Sequence, residues 1–415
     1  MNRHFVIIGG GVIGLCTAHY AAKRGHRVTV IERLPREHDG CSFGNAGMVV
    51  PSHFIPLAAP GVVMLALRWM WNPESPFCMR PRLDWDLLSW SWRFLRTSTR
   101  EHVRRAAPLI RDLSFASRAC FGELAETLDF GLVKRGLLML CKTQRALDEE
   151  AKTAVLANDF GVPAEVLNEK AVAELEPAVR MDVAGGVYFP KDCHLSPGRL
   201  MTALQCELEN AGVEFRFGSG VTGWRANGRR IEAARTNAGD FSADEFVLCG
   251  GAWSPQVARG LRVRLPMQAG KGYSLTLTSP RQLPRTCAIF SEARIAVTPM
   301  GGKLRFGGTM EIGGITEGIN LRRVRGIIKA VPRYYPDFTN EDFAGIEPWS
   351  GLRPCSPDGL PYVGRFAAYD NLSTATGHAM MGLSLGPVTG KIMAELLSGE
   401  SPSLDITLLS PDRFA

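Results

Sequence analysis

The stretch that decides the fold is IIGGGVIGLCTAHYAAKRGHRVTVIERLP, at residues 7–35. An apolar run leads into three spaced glycines, a helical pattern follows as far as Gly25, and a β-branched run then stops at Glu32. This order predicts the first β-α-β unit of a doubly wound sheet that binds a dinucleotide. Its strands and helix are expected at residues 4–8, 27–31 and 12–24.

The spacing Gly9-x-Gly11-x-x-Gly14 gives each glycine a reason to be there. The first allows a tight turn, the second lets the backbone approach a pyrophosphate, and the third lets helix and strand pack closely. The Glu32 carboxylate can accept hydrogen bonds from ribose hydroxyls and would repel a 2′-phosphate, which disfavours NADP. The motif leaves FAD and NAD open, and a glycine-rich turn without a ligand is the other interpretation.

Composition sets broad limits on the class of protein. The chain has 415 residues, of which 45% are hydrophobic and 21% charged, enough for two domains or one large divided one. The formal net charge of +7 is mild. It suits an anionic cofactor or substrate, or a loose attraction to an acidic membrane surface, and it does not indicate a nucleic-acid partner.

The ten cysteines are scattered, without a C-x-x-C pair and without zinc-type spacing to histidines. We therefore expect reduced thiols, a cytoplasmic protein and no metal site. The first apolar run is too short for a signal peptide, and no run reaches the ~18 apolar residues of a membrane span.

Beyond the opening unit, two kinds of pattern alternate along the chain. Alternation between residues 274 and 308 predicts antiparallel strands. Helices are expected at residues 84–97, 103–130, 149–160, 200–211, 321–334 and 386–397. Strands that extend the first sheet are expected at residues 213–217, 230–236 and 245–249, and a further strand is expected near residues 372–375.

Six further segments carry a resemblance to a known family. They are CSFGNAGMVVPS (41–52), SPFCMRPRLDWDLLSWSWRFLR (75–96), LCGGAWS (248–254), KGYSLTLT (271–278), WSGLRPCSPDGLPYVG (349–364) and TGHAMMGLSLGPVTGKIMAELLSG (376–399). With the opening motif, this ordered set resembles the FAD-dependent D-amino-acid dehydrogenases, within the D-amino-acid oxidase-like flavoproteins. The resemblance covers nearly the whole chain.

The resemblance implies a mixed fold class, α/β with α+β, in which a Rossmann-like FAD-binding domain is interleaved with an antiparallel-sheet substrate domain. The FAD-binding domain is predicted to comprise residues 1–85, 145–260 and 345–415. The substrate-binding or cap domain is predicted to comprise residues 86–144 and 261–344.

Cofactor-binding residues follow from the same resemblance. They are Gly9, Gly11, Val12, Ile13, Gly14, Glu32, Arg33, Ser42, Asn45, Ala46, Gly47, Met48, Val221, Gly250, Trp253, Gly377, His378, Gly382 and Leu383. The last four are expected at the N-terminal end of the final helix, with its positive dipole near the flavin. Plain core packing is the alternative for Trp253, and a structural or capping role is the alternative for His378. Relatives with covalent flavin carry a cysteine where this chain has Gly351, which predicts non-covalent FAD.

Four residues are predicted to contact the substrate. Arg353 matches the family arginine whose planar fork binds the substrate carboxylate, with an ion pair to Asp358 as the alternative. Tyr273 matches a tyrosine that supports the same carboxylate, and the alternative is a core tyrosine. His53 can accept or relay an amine proton, or it is an exposed loop histidine. Arg294 is a second anion contact.

The implied reaction is oxidation of a D-amino acid by hydride transfer from Cα to flavin N5, giving an imino acid that water hydrolyses. Electrons would pass to a quinone, an electron-transfer protein or another non-oxygen acceptor. Apolar Ala379 and Met380 suggest a cyclic or apolar substrate such as D-proline or a hydroxy-D-proline. The alternatives are a glycine- or sarcosine-type oxidase that makes hydrogen peroxide, a non-catalytic flavoprotein subunit of an electron-transfer complex, and an NAD-linked dehydrogenase.

Residues 67–105 are rich in tryptophan and arginine. One interpretation is an interfacial surface that docks on the inner face of the cell membrane. The other is a packed core face with solvated arginines on the opposite side.

Overall fold

The opening β-α-β unit forms as its sequence indicates in the structure, a computed structural model that describes residues 2–64, 74–80, 82, 84–316 and 318–415. Strand β1 (His4–Ile8) pairs in parallel with β2 (Arg27–Ile31). Helix α1 (Val12–Lys23) connects them. It ends where Gly25 takes φ +79°, a left-handed conformation that suits glycine at this position.

The other helices of the described residues mostly begin at a residue whose side chain caps the first turn. They are α2 (Trp85–Thr97), α3 (Arg100–Leu124), α4 (Gln144–Asp159), α5 (Glu169–Leu175), α6 (Pro197–Asn210), α7 (Ser254–Arg259), α8 (Leu321–Tyr334) and α9 (Gly386–Leu397). The predicted helices at 103–130 and 149–160 begin earlier than expected. The Thr99 and Thr143 hydroxyls accept hydrogen bonds from the first-turn N–H groups of α3 and α4, and so determine where each helix starts.

The remaining strands are short except in one sheet. They are β3 (Met48–Val49), β4 (Phe77–Met79), β5 (Leu137–Cys141), β6 (Glu165–Asn168), β7 (Gly185–Phe189), β8 (Cys193–His194), β9 (Glu214–Arg216), β10 (Val221–Asn227), β11 (Arg230–Thr236), β12 (Gly239–Phe241), β13 (Glu245–Leu248), β14 (Gln268–Leu277), β15 (Cys287–Phe290), β16 (Ile295–Met300), β17 (Lys303–Ile312), β18 (Trp349–Cys355), β19 (Tyr362–Arg365) and β20 (Leu372–Thr376).

The first sheet has the order β19-β20-β13-β1-β2-β9 and is parallel except for the edge strand β19. Its central strands are buried on both faces, which explains their continuous apolar sequences. On one face, Leu15 of α1 belongs to the same apolar core as Leu204 of α6 and Ile392 of α9.

The second sheet has nine strands in the order β18-β14-β17-β16-β15-β5-β7-β6, with β4 paired to β17. Most of its pairs are antiparallel, as the alternating sequence predicts. Helix α8 packs against the sheet, and the ring of its Tyr334 stacks on Phe290 with the centroids 4.2 Å apart. The two sheets confirm the predicted mixed fold class.

One predicted strand assignment is wrong. The strand at Arg230–Thr236 has the predicted limits, but it does not extend the first sheet. It lies between β10 and β12 in a separate antiparallel sheet of three strands. The chain reverses at Gly228, which has φ +57°, so β11 pairs with the strand just before it.

The predicted domain limits remain a prediction, and sheet membership departs from them in places. Strands β6, β7 and β18 lie within segments assigned to the FAD-binding domain, yet all three hydrogen-bond in the nine-stranded sheet. Short strands carry little sequence pattern of their own, so their sequence does not indicate which sheet they join.

The tryptophan-rich stretch has both a packed core face and exposed aromatic side chains. Trp90 is buried and its indole N–H donates to the Cys355 carbonyl at 2.9 Å, whereas Trp85 and Trp92 are exposed. Trp69 and Trp71 lie outside the described residues. No helix in the part of the chain that the structure describes is both long and apolar enough to cross a membrane.

Candidate active site

A cavity of about 1270 Å³ lies against both main sheets. It runs from the opening glycines past the loop at residues 41–48 to strands β14, β17 and β18. This volume exceeds the ~300–1,000 Å³ of ordinary small-molecule pockets, so the cavity has room for an extended cofactor and a substrate.

The glycines at one end permit contacts that no side chain would allow. Gly9 has φ +113°, and a Cβ there would lie 2.5 Å from the Cys249 carbonyl oxygen. A Cβ on Gly14 would overlap the carbonyl oxygen of Gly9. Gly11 is the N-cap residue of α1 and has no side chain to cap the helix. Gly11, Val12 and Ile13 line the cavity, so the N-terminus of α1 and its dipole lie where they can stabilise a bound anion.

Glu32 ends β2 beside these glycines and is buried. Its two carboxylate oxygens accept hydrogen bonds from Gly10 N at 2.7 Å and Leu34 N at 2.9 Å. Next to it, the Arg33 guanidinium lies 3.8 Å from the ring centroid of Trp253. Trp253 lines the cavity in contact with this cation, so it is not simply a core residue.

The loop at residues 41–48 is held in place by hydrogen bonds to helix α1 and to the nine-stranded sheet. Ser42 Oγ accepts a hydrogen bond from Val12 N at 3.0 Å, which ties the loop to α1. The Arg305 guanidinium donates to the carbonyls of Phe43 at 3.1 Å and Asn45 at 2.7 Å. The Trp349 indole N–H donates to Asp39 O at 2.7 Å.

Sequence reasoning missed Arg305, although the residue sits in the alternating pattern of β17. Burial lowers its pKa, and its fork donates to carbonyl oxygens of the loop and to the Thr276 hydroxyl. Because β17 also contains Lys303 and Glu311, an arginine at this position was not a distinct signal in the sequence.

Most of the predicted cofactor residues line this cavity. They are Gly9, Gly11, Val12, Ile13, Glu32, Arg33, Ser42, Asn45, Ala46, Met48, Val221, Gly250, Trp253, His378, Gly382 and Leu383. Gly14, Gly47 and Gly377 are not part of the lining. A Cβ on Gly47 would overlap the Leu195 carbonyl oxygen, and one on Gly377 would lie 2.8 Å from the Tyr362 ring. These three glycines allow close packing of the chain behind the residues that line the cavity.

The C-terminal wall differs in detail from the expectation. The residues that reach the cavity end at Leu383, before α9 starts at Gly386, so a loop and a one-turn helix (Ala379–Met381) face the cavity. His378 is buried, and its Nε2 lies 3.0 Å from Thr389 Oγ1. Burial lowers the pKa of His378 to about 3, so the ring is neutral at physiological pH.

Arg353 lies on β18 and is half-buried on the cavity wall. Its guanidinium packs over Gly272, where any Cβ would overlap it, and Nη1 donates to the Thr309 carbonyl at 2.9 Å. The alternative ion pair with Asp358 does not form, because Asp358 pairs with Arg413 at 2.7 Å.

Tyr273 is buried on β14 and reaches the cavity lining. Its hydroxyl donates to Glu311 Oε2 at 3.2 Å and accepts from Asn320 N at 3.3 Å. Burial, and then the neighbouring Glu311 carboxylate, raise the pKa of Tyr273 to about 12. A hydrogen bond to a substrate carboxylate would have to replace the one to Glu311.

His53 is half-buried and lines the cavity, which excludes the exposed-loop interpretation. Its Nδ1 lies 2.9 Å from Ser52 Oγ. Burial, followed by the charge of Arg294, lowers the pKa of His53 to about 4. Arg294 also lines the cavity, although its side chain is exposed.

Backbone strain is concentrated at this end of the cavity. Four non-glycine residues of the described chain have positive φ, and Arg294, Thr309 and Ala379 among them line the cavity. For a β-branched residue such as Thr309, at φ +66°, this conformation is unusual. Such strain clusters where function demands a particular geometry.

The glycine turn, the helix N-terminus at the cavity and the buried acidic residue place this chain in the doubly wound, dinucleotide-binding class. The family model described as FAD dependent oxidoreductase matches residues 4–396. A D-amino acid dehydrogenase of Methylobacterium radiotolerans is 35% identical over 424 residues, covering 99% of this chain and 100% of that one. A D-amino acid dehydrogenase of Granulibacter bethesdensis is 33% identical and covers 99% of both chains.

Solved structures of amino-acid oxidases and dehydrogenases share the fold of this chain. The glycine oxidase from Geobacillus kaustophilus matches with a TM-score of 0.80 and 25% identity over 100% of both chains. The L-proline dehydrogenase from P. horikoshii, with a TM-score of 0.76 and 19% identity over 100% of this chain and 98% of that one, shows the shared fold. The chain belongs to the FAD dependent oxidoreductase family, which confirms the predicted enzyme class and FAD as its cofactor. The residue roles remain predictions.

Proposed function

We propose that this protein oxidises a D-amino acid and passes the electrons to an acceptor other than oxygen. The Arg353 guanidinium carries the proposal. It lies on the cavity wall, has no carboxylate partner among the residues that the structure describes, and is held over Gly272 by a carbonyl acceptor. A planar cation held in this way suits the two oxygens of a carboxylate. The relatives named D-amino acid dehydrogenase support the substrate class.

FAD would supply the hydride acceptor when bound. This chain's residues would hold the substrate: Arg353 grips the carboxylate, Arg294 adds positive charge, and Tyr273 is close to the same wall. Apolar residues of the lining would receive the side chain, among them Phe77, Met79, Met310, Ile312 and Ala379. This lining favours an apolar or cyclic substrate such as D-proline or a hydroxy-D-proline.

The flavin is proposed to be non-covalent. Gly351 stands where relatives with covalent flavin have cysteine, and a Cβ there would overlap the Trp349 ring. Cys355 is buried and does not line the cavity. Acid precipitation of the holoenzyme should release all the yellow colour into the supernatant, and colour retained in the pellet would contradict the proposal.

The deciding experiment mixes purified holoenzyme anaerobically with D- and L-amino acids, including prolines, while flavin absorbance is followed. We expect D-isomers to bleach the flavin and L-isomers to leave it oxidised. Arg353→Ala should retain FAD and raise the substrate concentration for half-maximal reduction at least 100-fold, since a charge-assisted bidentate contact is lost. Unchanged reduction in this variant would favour a flavoprotein subunit without its own substrate.

The second candidate is an amino-acid oxidase of the glycine type, favoured by the 25% identity to glycine oxidase over the whole chain. The two functions differ in air. Hydrogen peroxide formed in a one-to-one ratio with substrate would establish the oxidase. Slow reoxidation by oxygen and fast reoxidation by a soluble quinone would establish the dehydrogenase.

A peripheral site on an acidic membrane is proposed for delivery of the electrons. Helix α2 exposes an apolar stripe at helical spacing: Trp85 is 80% exposed, Leu88 53%, Trp92 55% and Leu95 54%. The Arg96 guanidinium lies 4.7 Å from the Trp92 ring centroid. Aromatic and cationic side chains on one helix face suit an interface with anionic lipid.

Vesicles test this surface directly. Holoenzyme should sediment with vesicles of anionic phosphatidylglycerol and much less with neutral phosphatidylcholine. The double variant Trp85→Ser, Trp92→Ser should lose most of this binding, while Val155→Ser, at a valine 63% exposed elsewhere, should not. Equal sedimentation of the double variant and the parent would exclude the stripe as the membrane contact.

A further inference from the structure

Three side chains form a continuous row from a buried carboxyl group to the cavity. Asp192 is fully buried, and its two oxygens accept hydrogen bonds from Ser52, one from the backbone N at 3.0 Å and one from Oγ at 2.5 Å. The same Ser52 Oγ lies 2.9 Å from Nδ1 of His53. His53 in turn lines the cavity.

The ionised Asp192 carboxylate determines which atoms of this row carry hydrogens. While Asp192 is ionised it only accepts, so the Ser52 hydroxyl donates to it. The serine oxygen then accepts from His53, which places the ring proton on Nδ1. Since Nδ1 points to Ser52, Nε2 is the ring nitrogen available to a bound ligand, and in this tautomer it carries a lone pair.

Burial disfavours a proton on His53 and favours one on Asp192. Burial, and then the charge of Arg294, lower the pKa of His53 to about 4. Burial raises the pKa of Asp192 to about 7, against the hydrogen bonds from Ser52 and the more distant Arg118. Burial raises the pKa of the Cys193 and Cys287 thiols near Asp192, so both stay neutral.

We propose that His53, Ser52 and Asp192 form a proton relay that takes one proton from the ammonium group of the amino-acid substrate. The substrate N–H bond breaks as the proton moves to Nε2 of His53. The Nδ1 proton moves to Ser52 Oγ, and the serine proton moves to Asp192. The imidazole ends neutral in its other tautomer, the carboxyl group is protonated, and the substrate amine holds a free lone pair.

This relay rests on the proposed function and explains what that function needs. An amino acid enters with a protonated amine, and hydride can leave Cα only when the nitrogen lone pair is free to form the imine. His53 alone would have to carry a charge that its surroundings disfavour. In the relay the imidazole ring stays neutral, because the proton is finally bound by the Asp192 carboxylate. In this scheme His53 touches the substrate, while Ser52 and Asp192 act through it as positioning residues.

Anaerobic flavin reduction at two pH values tests the relay. Asp192→Asn keeps the shape of the side chain but cannot receive the proton. Near neutral pH it should lower the reduction rate constant about 100-fold, the scale of lost proton-transfer catalysis. Above the pKa of the substrate amine, solvent has already removed the proton, and the rate should return to within about threefold of the parent. An equal loss at both pH values would reduce Asp192 to a structural role and overturn the relay.

Serine variants distinguish a loss of the relay from a variant that merely misfolds. Ser52→Ala removes the hydroxyl and keeps the backbone hydrogen bond to Asp192, so it should show the same pH-dependent loss. Ser52→Thr restores a hydroxyl and should recover most of the rate. Ser291→Ala is the matched control, because its buried hydroxyl also donates to a carboxylate, Glu150 at 2.6 Å, outside the cavity lining.

A second readout does not depend on turnover. Nitrogen-15 NMR of histidine-labelled holoenzyme should show His53 protonated on Nδ1 in the parent above the pKa of Asp192. In Asp192→Asn the amide can donate to Ser52, and the proton should move to Nε2. An identical tautomer in both proteins would contradict the relay. Failure of the parent to react with any amino acid at either pH would instead contradict the proposed function.

Discussion

The two ends of the cavity are built in different ways. The dinucleotide end comes mainly from one continuous run, with Gly9, Gly11 and Glu32 spaced within a single β-α-β unit. The far end brings together His53 with Arg294 and Arg353, which lie more than 200 residues further along the chain. Glycines relieve the backbone at the first end, whereas ordinary side chains bear positive φ at the second.

The difference shows where precise geometry comes from in this protein. A pyrophosphate is bound by backbone groups, so a local turn with small residues suffices. A substrate must be held by side chains at a defined distance from the reacting atoms, which calls for support from surrounding structure. Thr309 illustrates this, since its strained backbone presents a carbonyl oxygen to Arg353.

The largest effect should come from closing the gap at the dinucleotide end. In Gly14→Ala, the new Cβ would overlap the carbonyl oxygen of Gly9, so the turn must open. We expect the purified variant to be colourless, with FAD affinity at least 100-fold weaker, as measured by flavin-to-protein absorbance. Gly198→Ala, in α6 with open space around its Cβ, is the control and should stay yellow. A yellow Gly14 variant would mean that this end tolerates change as readily as a surface loop.

Arg305 joins the two ends, because it lies on the large sheet and holds the loop at residues 41–48. Lysine cannot reproduce its fork, and losing one or two charge-assisted hydrogen bonds costs roughly 1.5–3 kcal/mol. Arg305→Lys should therefore weaken FAD binding about tenfold or more in a titration of apoprotein. The exposed ion pair of Arg225 with Asp240 provides the comparison, since Arg225→Lys should leave FAD affinity unchanged. An unaltered affinity in Arg305→Lys would show that the loop is self-supporting.

The pH dependence of the free energy of unfolding tests whether the His378 ring is shielded from water in the folded protein. Folding lowers the pKa of His378 from 6.5 to about 3, so below pH 6.5 the unfolded chain binds a proton that the folded chain refuses. Stability is therefore lost as pH falls from 6.5 toward 3, by up to about 1.4 kcal/mol per pH unit. His378→Asn should remove this component, so its apparent free energy of unfolding in urea should fall less steeply between pH 6.5 and 5. Parallel curves for the two proteins would indicate a hydrated, readily protonated ring.

The smallest effect concerns strain. Thr309→Gly should relieve a left-handed conformation, raising the apparent free energy of unfolding by up to about 1 kcal/mol. The looser carbonyl should at the same time slow flavin reduction a few-fold, because Arg353 loses a fixed acceptor. Arg262→Gly relieves a similar φ of +57° outside the cavity lining and should change stability alone. Equal reduction rates in parent and Thr309→Gly would separate strain from function at this position.

How far the site could be predicted depends on the distance between its parts in sequence. The helix at Leu321–Tyr334 and the final helix at Gly386–Leu397 have the predicted limits, because periodicity is a local property. Arg353 and His53 were identified from short motifs. Asp192 and Arg305 were not, since nothing near either residue in the sequence reveals what it will contact.

The amino-acid sequence by itself determined the dinucleotide unit, the order of the remaining motifs and the residue types that can meet a carboxylate. These features depend on steric limits and periodicity within a few neighbouring residues. Only the tertiary structure decided that β11 joins a separate sheet and that Arg305 holds the loop at residues 41–48. It also decided that Ser52 links Asp192 to His53 by hydrogen bonds. Those arrangements arise from long-range packing, in which buried polar groups must find partners wherever the fold brings them.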